Sequence, residues 1–130
     1  MFLSIKNIPK LSWSSDKPLN FRPKILTFCL LCLGLSLFGL GEGLLIVSFT
    51  GASPWSVLAQ GISLHINFSI GIITFFISSI VLFLWFFLDQ KPGIGTIMNI
   101  IIIAIMIDVS IAFIPTPENY ISQLTLSVLA

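Results

Sequence analysis

The dominant pattern in this chain is the alternation of long apolar runs with short polar, glycine- and proline-containing stretches. Three runs, at residues 25–49, 70–88 and 96–114, are about as long as the roughly 20 residues that a helix needs to cross a bilayer. The first run would extend about 37 Å at the helical rise per residue. The pattern therefore predicts an all-α integral membrane protein with three transmembrane helices.

The stretch between the first two runs predicts a short helix at about 54–65, lying at the membrane interface. Pro54 is preset for the first turn of a helix, and Ser53 before it is suited to cap the free backbone amides. We expect Gly51 to supply the unusual backbone angles of the turn. A re-entrant element that lines a cavity stays open as the alternative. Trp55 would lie at headgroup depth only if the helix is interfacial.

The two ends of the chain are predicted to be less regular. Residues 1–24 are polar, and the apolar run after them is too long for a signal peptide, which favours a retained cytoplasmic arm. The transmembrane domain then takes residues 25–117. Residues 118–130 form a short tail whose last apolar piece cannot cross a bilayer alone, so a truncated fourth span stays open.

The distribution of basic residues predicts the orientation in the membrane. Five of the six precede the first run, and the sixth, Lys91, lies between the second and third runs. The positive-inside rule places the N-terminus and the 89–95 turn in the cytoplasm. The 50–69 connection and the 115–130 tail would then face outward.

Composition narrows the class of function. The chain is 56% hydrophobic and 8% charged, so lipid must solvate much of its surface. A net charge of +1 gives no argument for nucleic acid. The lone His65 has no second ligand at metal-binding spacing. With no nucleophile–base pair, phosphate loop or dinucleotide motif in the sequence, we expect no enzyme activity, no cofactor and no metal.

Two acidic residues, Glu42 and Asp108, lie inside the apolar runs. An ionisable group at such depth costs on the order of a few kcal/mol, so it needs a partner, a water-filled cavity or a proton. By residue count both carboxyls lie about 10 Å below the outer face, which would allow one shared polar pocket. Two uses stay open: a site for a cation, proton or polar solute, and a structural role with hydrogen bonds to backbone or hydroxyl groups.

Two glycines predict where helices approach closely. Gly39 and Gly43 lie on one face of the first helix, at a spacing that lets another helix come near. Packing within the chain and contact with a second copy both stay open. Because three helices enclose at most a narrow crevice, we expect the lipid bilayer and either a second copy or another membrane subunit as partners.

The motifs taken in order resemble the YczE/YitT group of bacterial multi-pass membrane proteins. Besides Gly39, Ser69-Ile-Gly71 and the 114–117 segment, the residues that carry the resemblance include Gly51, Ser53, Pro54, Trp55, Gln60, Gly61, Pro92, Gly93, Gly95, Thr96, Asn99 and Asp108. The resemblance implies a helical bundle in the bacterial cytoplasmic (inner) membrane, in a group whose chains are typically longer. It supplies no substrate and no reaction.

These observations lead to one expected function and one alternative. We expect a component of a transport or permease-like assembly whose substrate the sequence does not identify. The alternative is a non-transporting membrane scaffold that supports a partner enzyme or secretion system. An accessible polar cavity would favour transport, because a scaffold needs only lipid-facing and partner-facing surfaces.

Overall fold

The computed structural model describes residues 23–130, and in that range the chain forms five helices and no β-strand. The all-helical prediction is confirmed for these residues, and the predicted helix ends agree within two residues. The predicted cytoplasmic arm lies almost entirely outside the described residues. The helices are α1 (Ile25–Ser48), α2 (Pro54–Ser63), α3 (Ile70–Phe87), α4 (Ile94–Phe113) and α5 (Tyr120–Leu129).

Two helices, α1 and α4, are long and apolar enough to cross a membrane. The helix α3 is shorter, and its apolar stretch is Ile70–Trp85. The prediction of three spans is therefore confirmed for two helices only. The two long helices support association with a membrane.

The central helix of the bundle is α4, which packs against both α1 and α3. Gly39 lies against Met106, and Gly43, one turn further along α1, lies against Ser110. A Cβ atom on Gly39 would come within 2.7 Å of the Met106 Cβ, so only glycine permits this approach. The contacts advance together along both helices, which shows that α1 and α4 run parallel. The glycine pair thus packs within the chain, and α4 covers the face that a second copy would use.

The shorter helices complete the bundle around α1, α3 and α4. Gly71 at the start of α3 lies against Ala104 and Asp108 in the C-terminal half of α4, so these two helices run antiparallel. The helix α2 packs on α3. The tail expected at 118–130 contains the ten-residue helix α5, whose C-terminal neighbour Ala130 lies against Gly41 on α1.

The turns differ from the prediction in which residue takes the left-handed conformation. Among residues 23–130, no glycine has a positive φ, whereas Phe49 has a φ of 56° and Asp89 a φ of 52°. The expectation for Gly51 was therefore wrong. Phe49 directly follows the last residue of α1, where a left-handed residue commonly ends a helix, and Asp89 is the second residue after α3. Gly93 precedes α4 with a φ of −85°.

Candidate functional site

Glu42 on α1 is hydrogen-bonded to the N-terminus of α2. The hydroxyls of Ser53 and Ser56 donate to Glu42 Oε2 at 2.9 and 2.6 Å. Ser53 Oγ also accepts from the Ser56 backbone N–H at 3.2 Å, as the predicted N-cap. Glu42 lies six residues before Ser48, about 9 Å along the helix axis. The 49–53 connection therefore folds back and brings the first turn of α2 down beside Glu42.

Asp108 on α4 has an equivalent arrangement at the N-terminus of α3. Ser69 Oγ donates to Asp108 Oδ2 at 2.6 Å, and the Gly71 backbone N–H donates to Oδ1 at 2.8 Å. Ser69 Oγ also accepts from the Ile72 N–H at 3.2 Å. A Cβ atom on Gly71 would lie 2.5 Å from the Asp108 Cγ, so a larger residue could not sit there. The absence of a side chain at residue 71 lets the carboxyl reach the backbone.

Helix N-termini, rather than basic side chains, compensate both carboxyls. The positive end of a helix dipole and its free N–H groups favour a negative group. Among residues 23–130 the lysines are Lys24, which directly precedes α1, and Lys91, which lies three residues before α4. Both are at the helix ends away from Glu42 and Asp108. Ser56 was not predicted from the sequence as a partner of Glu42. A serine before an apolar helical run was nevertheless a usable signal for a cap at residue 69.

The structure does not bring Glu42 and Asp108 into one pocket. Glu42 lines a cavity of about 630 Å³, and Asp108 lines a separate one of about 260 Å³ beside Gly71. The two carboxyls therefore do not share a pocket, which their equal predicted depth would have allowed. The two carboxyls need separate explanations.

The larger cavity, called here the main cavity, lies between α1 and α3, with α4 as its floor and the start of α2 at one end. Its polar lining consists of one carboxyl, one amide and several hydroxyl groups. The sequence-predicted residues that line it are Glu42, Ser53, Pro54, Trp55, Thr96 and Asn99. The predicted residues that do not line it are Gly39, Gly43, Gly51, Gln60, Gly61, Pro92, Gly93, Gly95 and Asp108.

Comparison with known proteins shows the family. Residues 25–130 match a family of unknown function, DUF6198. The chain belongs to DUF6198. An uncharacterized protein of Haemophilus influenzae is 35% identical over 120 residues, which cover 92% of this chain and 54% of the relative. The DUF6198 chain thus spans about half the length of this curated relative.

No solved structure matches the DUF6198 chain. The resemblance to the YczE/YitT group stays a prediction, because the family and the relative found here do not refer to that group.

The polar groups of the main cavity in this DUF6198 chain differ in how far they are already hydrogen-bonded. Thr74 Oγ1 donates to the Ile70 carbonyl at 2.8 Å, within its own helix. Ser53 and Ser56 are committed to Glu42. Asn99 is exposed on α4, where its amide faces the cavity space. Besides the Glu42 carboxyl, the Asn99 amide and the hydroxyls of Ser78 and Thr96 line the cavity, and these groups could meet a bound molecule.

Gln60 lies on α2, four residues after Ser56, and does not line the main cavity. Its side-chain nitrogen is buried and has no hydrogen-bond partner within the described part of the chain.

Proposed function

We propose that this protein is a multi-pass protein of the bacterial cytoplasmic (inner) membrane and a component of a transport or permease-like assembly. The observation that carries this proposal is the main cavity, which places a carboxyl, an amide and hydroxyl groups inside an otherwise apolar bundle. Polar lining at this depth is costly unless it serves a solute or holds the fold together.

The packing of the helices supports three crossings. Consecutive crossings alternate in direction, and α1 and α4 are parallel while α3 is antiparallel to α4. The 18 residues of α3 would extend about 27 Å, close to the thickness of a hydrocarbon core. Lys24 and Lys91 lie at the same end of the bundle, which supports a cytoplasmic location for that end.

The proposed partners are the lipid bilayer and a further membrane subunit or a second copy of the chain. The main cavity is partly open to the surroundings of the bundle. A neighbouring subunit would close that side and shield Glu42 from lipid. The relative about twice as long has room for such additional helices in one chain.

The scaffold alternative also has a specific observation in its favour. Both carboxyls are hydrogen-bonded to serine hydroxyls, and Asp108 also to a backbone N–H. A purely structural carboxyl requires such bonds and nothing more. Access of water to the main cavity distinguishes the two functions, because transport requires it and a scaffold does not.

The test measures that access with two cysteine variants of α3, in a background with Cys29→Ser and Cys32→Ser. Ser78→Cys places a thiol in the main cavity, and Ile80→Cys places one on the exposed apolar surface at similar depth. Charged methanethiosulfonates react with thiolates, which form only where water reaches the thiol. We expect a trimethylammonium methanethiosulfonate to label Ser78→Cys at least tenfold faster than it labels Ile80→Cys. Equally slow labelling of both would contradict transport and favour the scaffold.

A further inference from the structure

The main cavity has the dimensions and lining of a small-molecule site. Its volume of about 630 Å³ lies within the roughly 300–1,000 Å³ typical of such sites. Its walls are largely apolar, with isoleucine, valine and leucine side chains from α3 and α4. A few polar groups on apolar walls can orient a small ligand, whereas an inorganic cation such as Ca²⁺ needs six to eight oxygen ligands around it.

The charged residues that line the main cavity determine which sign of charge a ligand can carry. Among residues 23–130, Glu42 is the one ionisable residue that lines the main cavity. Two hydroxyls donate to its Oε2, and the first turn of α2 lies beside it. The N-terminal end of a helix interacts favourably with a negative group. No residue from 23–130 donates a hydrogen bond to Glu42 Oε1, which leaves that oxygen available to a ligand. The part of the lining that residues 23–130 supply has one carboxyl group and no lysine or arginine, which disfavours anions.

Aromatic side chains come to the main cavity from three helices. Phe38 lies one helical turn before Glu42 on the same face of α1. Trp55 lies between the two serines that bind Glu42, and Trp85 lines the cavity from α3. The face of an aromatic ring attracts a cation, most strongly for tryptophan. Rings also pack against the apolar groups of an organic cation, which a hydrated metal ion lacks.

We infer that the main cavity binds a small organic cation, an ammonium or phosphonium ion with apolar substituents. Glu42 is its counter-ion, and Trp55 and Trp85 supply ring contacts. This inference rests on the proposed function, whose substrate class it names.

The test measures binding of tetraphenylphosphonium to the full chain in lipid nanodiscs, with tetraphenylborate as the ion of the same shape and opposite charge. We expect saturable binding of the cation above that of empty nanodiscs. Glu42→Gln should weaken it at least tenfold. The matched control is Asp108→Asn, which changes a carboxyl that has a serine donor but lines the other cavity. The affinity of the Asp108→Asn variant for the cation should stay within twofold of the wild-type value.

Two further measurements keep the test decisive if Glu42→Gln does not fold. Trp55 is half-exposed, and Trp55→Leu keeps an apolar side chain there, so the variant should fold. It should bind the cation several-fold more weakly, because the aromatic ring is lost. Tetraphenylphosphonium should also protect Ser78→Cys from the thiol reagent, whereas tetraphenylborate should not. Equal protection by both ions, or equal loss of binding in Glu42→Gln and Asp108→Asn, would overturn the inference.

The outcomes separate this inference from the proposed function. If Ser78→Cys is water-accessible but tetraphenylphosphonium does not bind saturably, the substrate class is wrong and transport of another solute stands. If the cation binds with dependence on Glu42 but crosses vesicle membranes that contain the protein no faster than protein-free vesicle membranes, the binding site stands and the transport proposal fails.

Discussion

Ser56 on α2 donates a 2.6 Å hydrogen bond to Glu42 on α1, although 14 positions separate the two residues in the sequence. Ser69 and Asp108 form the equivalent pair between the start of α3 and α4, also at 2.6 Å. In both pairs the carboxyl of a long apolar helix meets a serine at the N-terminus of another helix. Within residues 23–130 the bundle thereby accommodates two half-buried acids without a basic partner beside either, and each acid ties two helices together.

Removing the hydroxyl of Ser56 should loosen α2. In Ser56→Ala, Glu42 loses its shorter hydrogen bond, and we expect the free energy of unfolding to fall by about 1–3 kcal/mol. Thermal unfolding in detergent, followed by circular dichroism, measures the change. Ser63→Ala is the matched control, because Ser63 Oγ donates only to the Gln60 carbonyl of its own helix. Equal effects of the two substitutions would show that the bond to Glu42 contributes little.

Two substitutions separate the structural and functional roles of Asp108. Asp108→Leu leaves the Gly71 N–H and the Ser69 hydroxyl without their acceptor and should destabilise the protein by about 1–3 kcal/mol. Asp108→Asn keeps a carbonyl acceptor of nearly the same shape and should stay close to wild-type stability. Both are compared by thermal unfolding in detergent. If neither substitution changes stability, the helix-capping role of Asp108 is wrong.

The close approach of α1 and α4 predicts different tolerance at two glycines of the same helix. Gly43→Leu places a side chain where Ser110 and the Ile107 carbonyl already lie, so the two helices must separate. Gly34→Leu is the control, because nothing lies within 4 Å of a Cβ atom there. We expect Gly43→Leu to reduce the yield of monodisperse protein severely and Gly34→Leu to leave it nearly unchanged. A stable, monodisperse Gly43→Leu protein would contradict this packing.

Cysteine labelling tests the proposed orientation. Ser63→Cys and Gln90→Cys, each in a background with Cys29→Ser and Cys32→Ser, lie near opposite ends of the antiparallel helix α3. We expect a membrane-impermeant thiol reagent to label Ser63→Cys in intact cells and Gln90→Cys only after permeabilisation. Reversed labelling would contradict the orientation drawn from the basic residues, and labelling of both in intact cells would contradict a crossing by α3.

The positions of the main helices could be predicted because each depends on its own segment. An apolar run in lipid must satisfy its backbone hydrogen bonds internally, which favours a helix wherever the run extends. The ends of α1, α3 and α4 accordingly agree with the pattern. The turn after α1 was predicted less well, because Phe49 rather than Gly51 directly follows the last helical residue. The helix α5 was missed because its ten residues form a short, partly polar segment.

For the candidate site, the sequence by itself determined which residues are unusual and how far each lies from the end of its helix. Glu42 and Asp108 are acids in apolar runs, Ser53 is suited to cap a helix, and Gly39 and Gly43 permit close approach, all of which follow from residue type and helical rise. Only the tertiary structure decided which residues meet. It placed Glu42 and Asp108 in separate cavities and α4 against the glycine pair. Depth follows from counting residues along one helix, whereas the direction that a side chain faces depends on how all the helices pack around one another.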